Sequence, residues 1–396
     1  MPKTKTRRDS LLVPNQNSLK IKPAMDSPIP VNEPLLDGNE RLYLNECIDT
    51  GWISSEGPFV DKFEAQMARQ VGRKYGVAVA NGTAALDIAV AALGIGIGDD
   101  VIIPAFTIIS CASAVVRSGA RPVVVDCDIE TWNMDVTRIE EKITSCTKAI
   151  MAVHIYGLPV NMEPLLAIAK KHNLMVIEDA AEAIGQTVNG RPCGSLGDIS
   201  TFSFYPNKHV TTGEGGMCLT DDADLANRCR SLRNLCFQPE KRFVHQELGW
   251  NYRMTNLQAA LGCAQLERLD AHIAIKRKIG NRYNQLMDGI DGVQFPLART
   301  EYAENIYWVY GMVLDDQIPF DATEAMRQLG RGGIGTRPFF WPIHEQPVFL
   351  RMGLFENESC PVAERIARRG FYIPSGLALR DDQIERVANA IVKLVE

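Results

Sequence analysis

Between residues 75 and 177 the chain repeats one pattern: a short, continuously apolar run, a turn, then an amphipathic stretch of helix length. Residues 76–80, 101–104, 122–126, 148–154 and 174–177 read as strands, with helices over 84–93, 107–118, 136–143 and 162–172 between them. Strands that are apolar along their whole length must be covered on both faces, and helical crossovers make successive strands parallel. An α/β fold on a mainly parallel sheet is the expectation. The run Gly94-Ile-Gly96-Ile-Gly98 resembles a dinucleotide-binding glycine loop, but it follows a helix and precedes a strand, the reverse of the required order. It reads as a helix end and turn, which disfavours a nicotinamide-dependent oxidoreductase.

The flanks differ from this repeat. Helices over 37–50 and 59–71 come first, joined by a loop (51–58) that carries Trp52, Ser54 and Ser55. Such residues on a loop suit ligand contact as well as a packing anchor. A long helix over 257–275, with its tendency continued to 287, links to a different order: strand-like 307–313, a helix over 322–329 and a last helix over 381–395. The organisation expected is an N-terminal extension (1–25), a large α/β domain (26–265), then a linking helix and smaller α+β domain (266–396).

A net charge of −6 gives no electrostatic reason to bind nucleic acid or an acidic membrane. The ten cysteines include no C-x-x-C pair and the six histidines show no metal-ligand spacing, so reduced cysteines and no metal site are expected. No apolar run reaches membrane-spanning length. The basic N-terminus (Lys3, Lys5, Arg7, Arg8) lacks the apolar core of a secretory signal. The expectation is a cytoplasmic, enzyme-sized protein.

In open parallel sheets, ligands sit beyond the carboxyl ends of the strands, so the residues at those ends carry the functional question. After the first strand, Asn81-Gly82-Thr83 opens a helix, an arrangement that suits a phosphate as well as a plain N-cap. After the strand ending at Ile177 come Glu178, Asp179 and Glu182 among alanines, which leaves room for a flat ligand beside a carboxylate. The run STFSFYPNK (200–208) delivers Lys208 to a turn, followed at once by the glycine-bearing TGEGG (212–216). A lysine held at a sheet edge can form a Schiff base when its amine is partly desolvated. A phosphate cradle, a carboxylate for a protonated ring nitrogen and an amine, each at a different strand end, are together what pyridoxal 5'-phosphate requires.

NGTAAL (81–86), EDAAEA (178–183), STFSFYPNK, TGEGG and GWNYRMTNLQAA (249–260) together resemble the DegT/DnrJ/StrS family of pyridoxal phosphate-dependent sugar aminotransferases, which have the type I aspartate aminotransferase-like fold. The resemblance runs from about residue 28 to the C-terminus. It is nearest to the GDP-perosamine synthase-like branch in LDGNER (36–41), DTGWISS (49–55) and GTRP (335–338). It implies transfer of an amino group from L-glutamate to a keto sugar, most closely a GDP-linked 4-keto-6-deoxy sugar, for cell-surface polysaccharide. A sugar without that nucleotide, such as an oxidised 3-deoxy-octulosonate aminated at C8, is the alternative. Relatives with histidine in place of the lysine are dehydratases, and a scaffold without activity is a further alternative; Lys208 favours transamination.

By the same resemblance, Lys208 would carry the cofactor and move protons, and Asp179 would pair with its ring nitrogen. Gly82, Thr83 and Ser203 would hold the phosphate, and Glu182 would lie near the ring oxygen. Asn251 would reach the phosphate from a neighbouring subunit, implying at least a homodimer with shared active sites. Trp52, Ser54, Ser55, Arg337 and His344 would approach the sugar or donor. Many relatives place an aromatic residue against the cofactor ring where this chain has Ile108, so either that aliphatic face or Phe106 would cover it.

Overall fold

The structure is a computed structural model that describes residues 27–238 and 240–395. The extension expected over 1–25 lies outside the described residues. Seven strands form the main sheet: β1 Tyr75–Val79, β2 Asp100–Pro104, β3 Arg121–Val125, β4 Thr147–Val153, β5 Met175–Asp179, β6 Ile199–Ser203 and β7 Gly216–Thr220. Their order is β1-β7-β6-β5-β4-β2-β3. The β3-β2-β4-β5-β6 pairings are parallel, and β7 runs antiparallel to both β6 and β1. Residues of β2 and β7 are buried throughout, as continuous apolar runs require. Helices that include Gly82–Ala92, Ile109–Arg117 and Met162–His172 supply the crossovers, and apolar clusters on both sides of the sheet form the core.

β7 is absent from the sequence-based expectation, and its direction has a simple cause. Only twelve residues (204–215) separate it from β6, with no helix among them. A parallel neighbour would need a full crossover, whereas a short return makes an antiparallel one. Lys208 lies on that return.

A second sheet follows: β8 Val293–Gln294, β9 Tyr310–Leu314, β10 Arg337–Pro338 and β11 Gly370–Ile373, in the order β8-β9-β11-β10 and all antiparallel. It packs with helices Leu269–Leu286, Ala322–Arg331 and Asp381–Val395 around a separate apolar cluster. No helix among the described residues is long and apolar enough to cross a membrane.

Two expected helices differ. Residues 136–143 form two 3₁₀ turns, Val136–Arg138 and Glu140–Lys142. Asp135 Oδ1 accepts from both the N–H and the hydroxyl of Thr137 (3.0 and 2.6 Å), and local bonds of this kind compete with the helical ladder. The long helix is two, Asn256–Leu266 and Leu269–Leu286. At the break Glu267 accepts from Asn39 and Tyr43 while Arg268 pairs with Asp37, which ties both residues to the segment around the first helix.

Candidate active site

The carboxyl ends of β1, β2, β5 and β6 open into one cavity of about 800 Å³, lined by Gly82, Thr83, Ile108, Asp179, Glu182, Ser203 and Lys208. A cavity of this size holds a cofactor together with a substrate.

On one wall is the N-terminus of helix Gly82–Ala92. Asn81 Oδ1 caps it by accepting from Ala84 N (2.8 Å), which leaves the first-turn amides of Gly82 and Thr83 directed outward, as helix starts do. Thr83 Oγ1 lies 2.8 Å from Ser110 Oγ. A Cβ on Gly82 would come within 2.8 Å of Ser203 Cβ, so glycine is what permits the helix start to approach β6. Hydroxyls and free amides converge there on space that suits an anion.

Opposite sits Asp179 at the end of β5, 2% exposed. Its Oδ1 accepts from Ala181 N (3.1 Å) and its Oδ2 from the Cys111 thiol (3.4 Å). Burial raises its pKa against those bonds, so the carboxylate is under-compensated and has room for a cationic N–H donor. Thr201 Oγ1 and Asn207 Oδ1, on residues lining the same cavity, are buried with no partner among the described residues. Such orphans mark a place built for a polar ligand. An anion cradle, an uncompensated carboxylate and an amine fit pyridoxal phosphate.

The amine is Lys208. Its Nζ lies 3.6 Å from the centroid of the Trp308 ring and 3.9 Å from Glu182 Oε1. Burial lowers its pKa, opposed by the carboxylates of Glu182 and Asp179. Glu182 is pushed up to about 7 by burial, against Lys208 and the Tyr156 amide that donates to its Oε2 at 2.9 Å. A buried lysine of lowered basicity beside a carboxyl that titrates near neutrality is equipped to take up and release protons.

Glu178, next to Asp179, has a different task. Both are fully enclosed, but Glu178 accepts from His154 Nε2 (3.0 Å) and from the amides of Gly194, Leu196 and Gly197. Burial pushes its pKa up, yet these donors outweigh it and the value lies below the ordinary one. His154 Nδ1 accepts from Val160 N (3.2 Å), so Nε2 carries the proton and neither nitrogen keeps a lone pair for a metal, although Cys193 is close by. Glu178→Ala strands four buried donors and should cost ~3–5 kcal/mol at pH 7, read by chemical denaturation. A depressed carboxyl pKa stabilises above its unfolded value. The deficit should therefore shrink as pH falls below ~4.3.

Ile108 lines the cavity at its mouth, 40% exposed. Phe106 is fully buried in an aromatic cluster with Tyr156, Phe339 and Phe340, so Ile108 is the one that faces the ligand space. The other expected residues lie outside the cavity wall. Asn251 is exposed and bonds Arg253. Trp52 and Ser54 are exposed and tied by their carbonyls to Asn256. Ser55 borders a small recess with Arg230, Arg233 and Arg253. Arg337 is exposed and pairs in register with Tyr372, which does line the cavity. His344 is buried and holds Glu364 at 3.1 Å.

Sequence reasoning missed Cys111, Thr201, Asn207, Trp308 and Tyr372. Thr201 and Asn207 flank recognised motif residues and could have been drawn from the strand-end rule. Trp308 and Tyr372 enter from the second sheet, and no local pattern announces them.

The family profile described as the DegT/DnrJ/EryC1/StrS aminotransferase family matches residues 34–392. The chain is 43% identical over 363 residues to the GDP-perosamine synthase of Caulobacter vibrioides (92% of this chain, 97% of that one). It is 41% identical over 363 residues to that of Vibrio cholerae (92% and 98%). Among solved structures, the aminotransferase TlmJ from Streptoalloteichus hindustanus superposes with a TM-score of 0.86 at 30% identity, covering 92% of this chain and 98% of that one.

Proposed function

This chain belongs to the DegT/DnrJ/EryC1/StrS aminotransferase family, and from that premise we propose that it moves an amino group from L-glutamate to C4 of a GDP-linked 4-keto-6-deoxy sugar. It is a pyridoxal phosphate-dependent sugar aminotransferase. The observation that carries the reading is the placement of Lys208 Nζ in one cavity with Asp179 and the Gly82–Thr83 helix start. Identity above 40% to two GDP-perosamine synthases, over nearly the whole of each chain, supports the sugar and its nucleotide.

The bound cofactor supplies an electron sink that stabilises negative charge on the carbon next to the transferred nitrogen. This chain's residues do the rest. Gly82, Thr83 and Ser203 would hold the phosphate. Asp179 would accept from the protonated ring nitrogen and keep it protonated. Lys208 Nζ would anchor the cofactor, take a proton off the donor's carbon in the first half-reaction and deliver one to the sugar carbon that receives the nitrogen in the second. Ile108, Trp308 and Tyr372 would line the space around the reacting groups. Asn251, exposed and away from its own cavity, would serve the phosphate of a neighbouring copy, which makes the working unit a dimer. Arg337, in register with Tyr372, would meet a sugar or diphosphate at the cavity's edge.

The test is optical. The holoenzyme's visible absorbance should change on adding L-glutamate and be restored by the GDP-linked 4-keto-6-deoxy sugar. Restoration by keto sugars that lack a nucleotide, with none from the GDP-linked one, would overturn the substrate assignment.

A further inference from the structure

Lys276 lies in the middle of helix Leu269–Leu286, 1% exposed. Its Nζ donates to Trp308 O at 2.7 Å and to Ser375 O at 2.5 Å, and among the described residues no carboxylate pairs with it. Enclosing an amine without a counter-ion is costly, and a leucine or methionine would fill the same helix face without that cost. The two carbonyls are informative. Trp308 stands just before β9 and Ser375 just after β11, and Ser375 Oγ also accepts from Tyr310 N (3.2 Å). One side chain therefore ties the helix to both central strands of the second sheet.

One of those tethered residues is the floor under the reacting amine. The Trp308 ring lies 3.6 Å from Lys208 Nζ, and its Nε1–H donates to the carbonyl of Asn207, the residue before Lys208 (2.9 Å). Just upstream, Tyr307 has a left-handed backbone (φ 47°) and its N–H donates to Asn305 Oδ1 at 2.7 Å. The backbone that presents the indole is thus gripped on one side by Asn305 and on the other by Lys276.

The geometry points to Lys276 as a positioning residue for Lys208, acting through Trp308: it fixes the indole against the amine that performs the proton transfers. The inference rests on the catalytic role of Lys208 proposed above. It predicts more than lost stability. If the amine merely glued the second sheet to its helix, its removal would weaken the fold and leave the chemistry of the folded fraction unchanged. If it holds the indole, its removal loosens a cation–π contact that favours the positively charged state at Lys208 Nζ.

The experiment uses the holoenzyme and the variants Lys276→Gln, which can still donate to one carbonyl, and Lys276→Met. The resting visible absorbance is titrated against pH. Its midpoint should fall by about 0.5–1 unit in the variants, the size expected for a partly desolvated cation–π contact. kcat should fall about tenfold, with KM for glutamate within about twofold. In a Trp308→Ala background Lys276→Gln should add nothing further to the midpoint shift. A midpoint and kcat like wild type in either folded variant overturn the proposal. If neither folds, Trp308→Ala decides alone, because an unmoved midpoint there removes the route. Failure of the underlying reading looks different: wild-type protein with pyridoxal phosphate would show no visible band, and borohydride would fix no label on Lys208.

Discussion

Lys208→Ala is expected to lower turnover by ~10³–10⁴-fold or more, since under the proposed function it removes both the cofactor's anchor and the proton carrier. The fold should survive. Lys208 sits on a return between two strands, and among the described residues its amine makes no hydrogen bond to the backbone, its close contacts being with Trp308 and Glu182. A buried amine of lowered basicity is also a burden that alanine lifts. The substitution has a second reading. Glu182 now lies near 7 with the amine beside it holding its pKa down; without that cation its pKa should rise further, and the carboxyl should stay protonated at neutral pH. Added alkylamines should then restore part of the proton transfer, because the space that Nζ occupied is open to the cavity. Circular dichroism establishes folding, stopped-flow absorbance reads the half-reaction with glutamate, and borohydride followed by peptide mapping tests the anchor. Turnover within tenfold of wild type would dismiss Lys208 as the reacting amine.

What could be read from the sequence follows from where physical constraint is local. Apolar strand runs separated by helices leave few arrangements other than a covered parallel sheet, and such a sheet sends ligands to its carboxyl edge. Asn81-Gly82-Thr83, Asp179 and Lys208 are therefore legible in the sequence as one site, because each stands at, or within a few residues of, its strand's carboxyl end. The strand Gly216–Thr220 was not, because its direction depends on the absence of a crossover helix, and residues 204–215 mix apolar positions (Phe204, Tyr205, Val210) with turn-forming ones (Pro206, Asn207, Gly213, Gly215) in no regular period. Trp308 was hidden for a different reason. It meets Asn207 across 101 residues of chain, through packing of the second sheet that no local periodicity encodes. Residues 136–143 show the limit from the other side: their helical spacing was real, but Asp135 offered Thr137 a closer partner than the ladder did. His344 carries the same lesson for chemistry. Its residue type suited a ligand contact, and the fold holds it against Glu364 outside the cavity wall.

Asp179→Asn should have opposite effects on the two forms of the protein. In the cofactor-free form the carboxylate is buried with one amide and one thiol as donors, and burial holds its pKa above the ordinary value. A raised carboxyl pKa means that the unfolded chain releases this proton first. The contribution to stability is therefore present below about 3.9 and lost as pH rises through the folded value. At neutral pH the ionised group opposes folding, and a neutral amide of the same shape relieves it. The cofactor-free variant should accordingly melt higher than the cofactor-free parent, by ~1–3 °C. In the loaded form the order reverses. Under the proposed function the carboxylate would there face a protonated ring nitrogen, and an amide could not keep that proton in place. Breaking a buried charged pair from one side costs ~3–5 kcal/mol, which at ~1.4 kcal/mol per decade predicts a loss of roughly a hundredfold to a few thousandfold in kcat/KM. The gain in Tm on adding pyridoxal phosphate should shrink in parallel. Calorimetry on both forms, with and without cofactor, checks the crossing. A variant less stable than its parent without cofactor and equally active with it would mean that Asp179 supports the fold and not the ring.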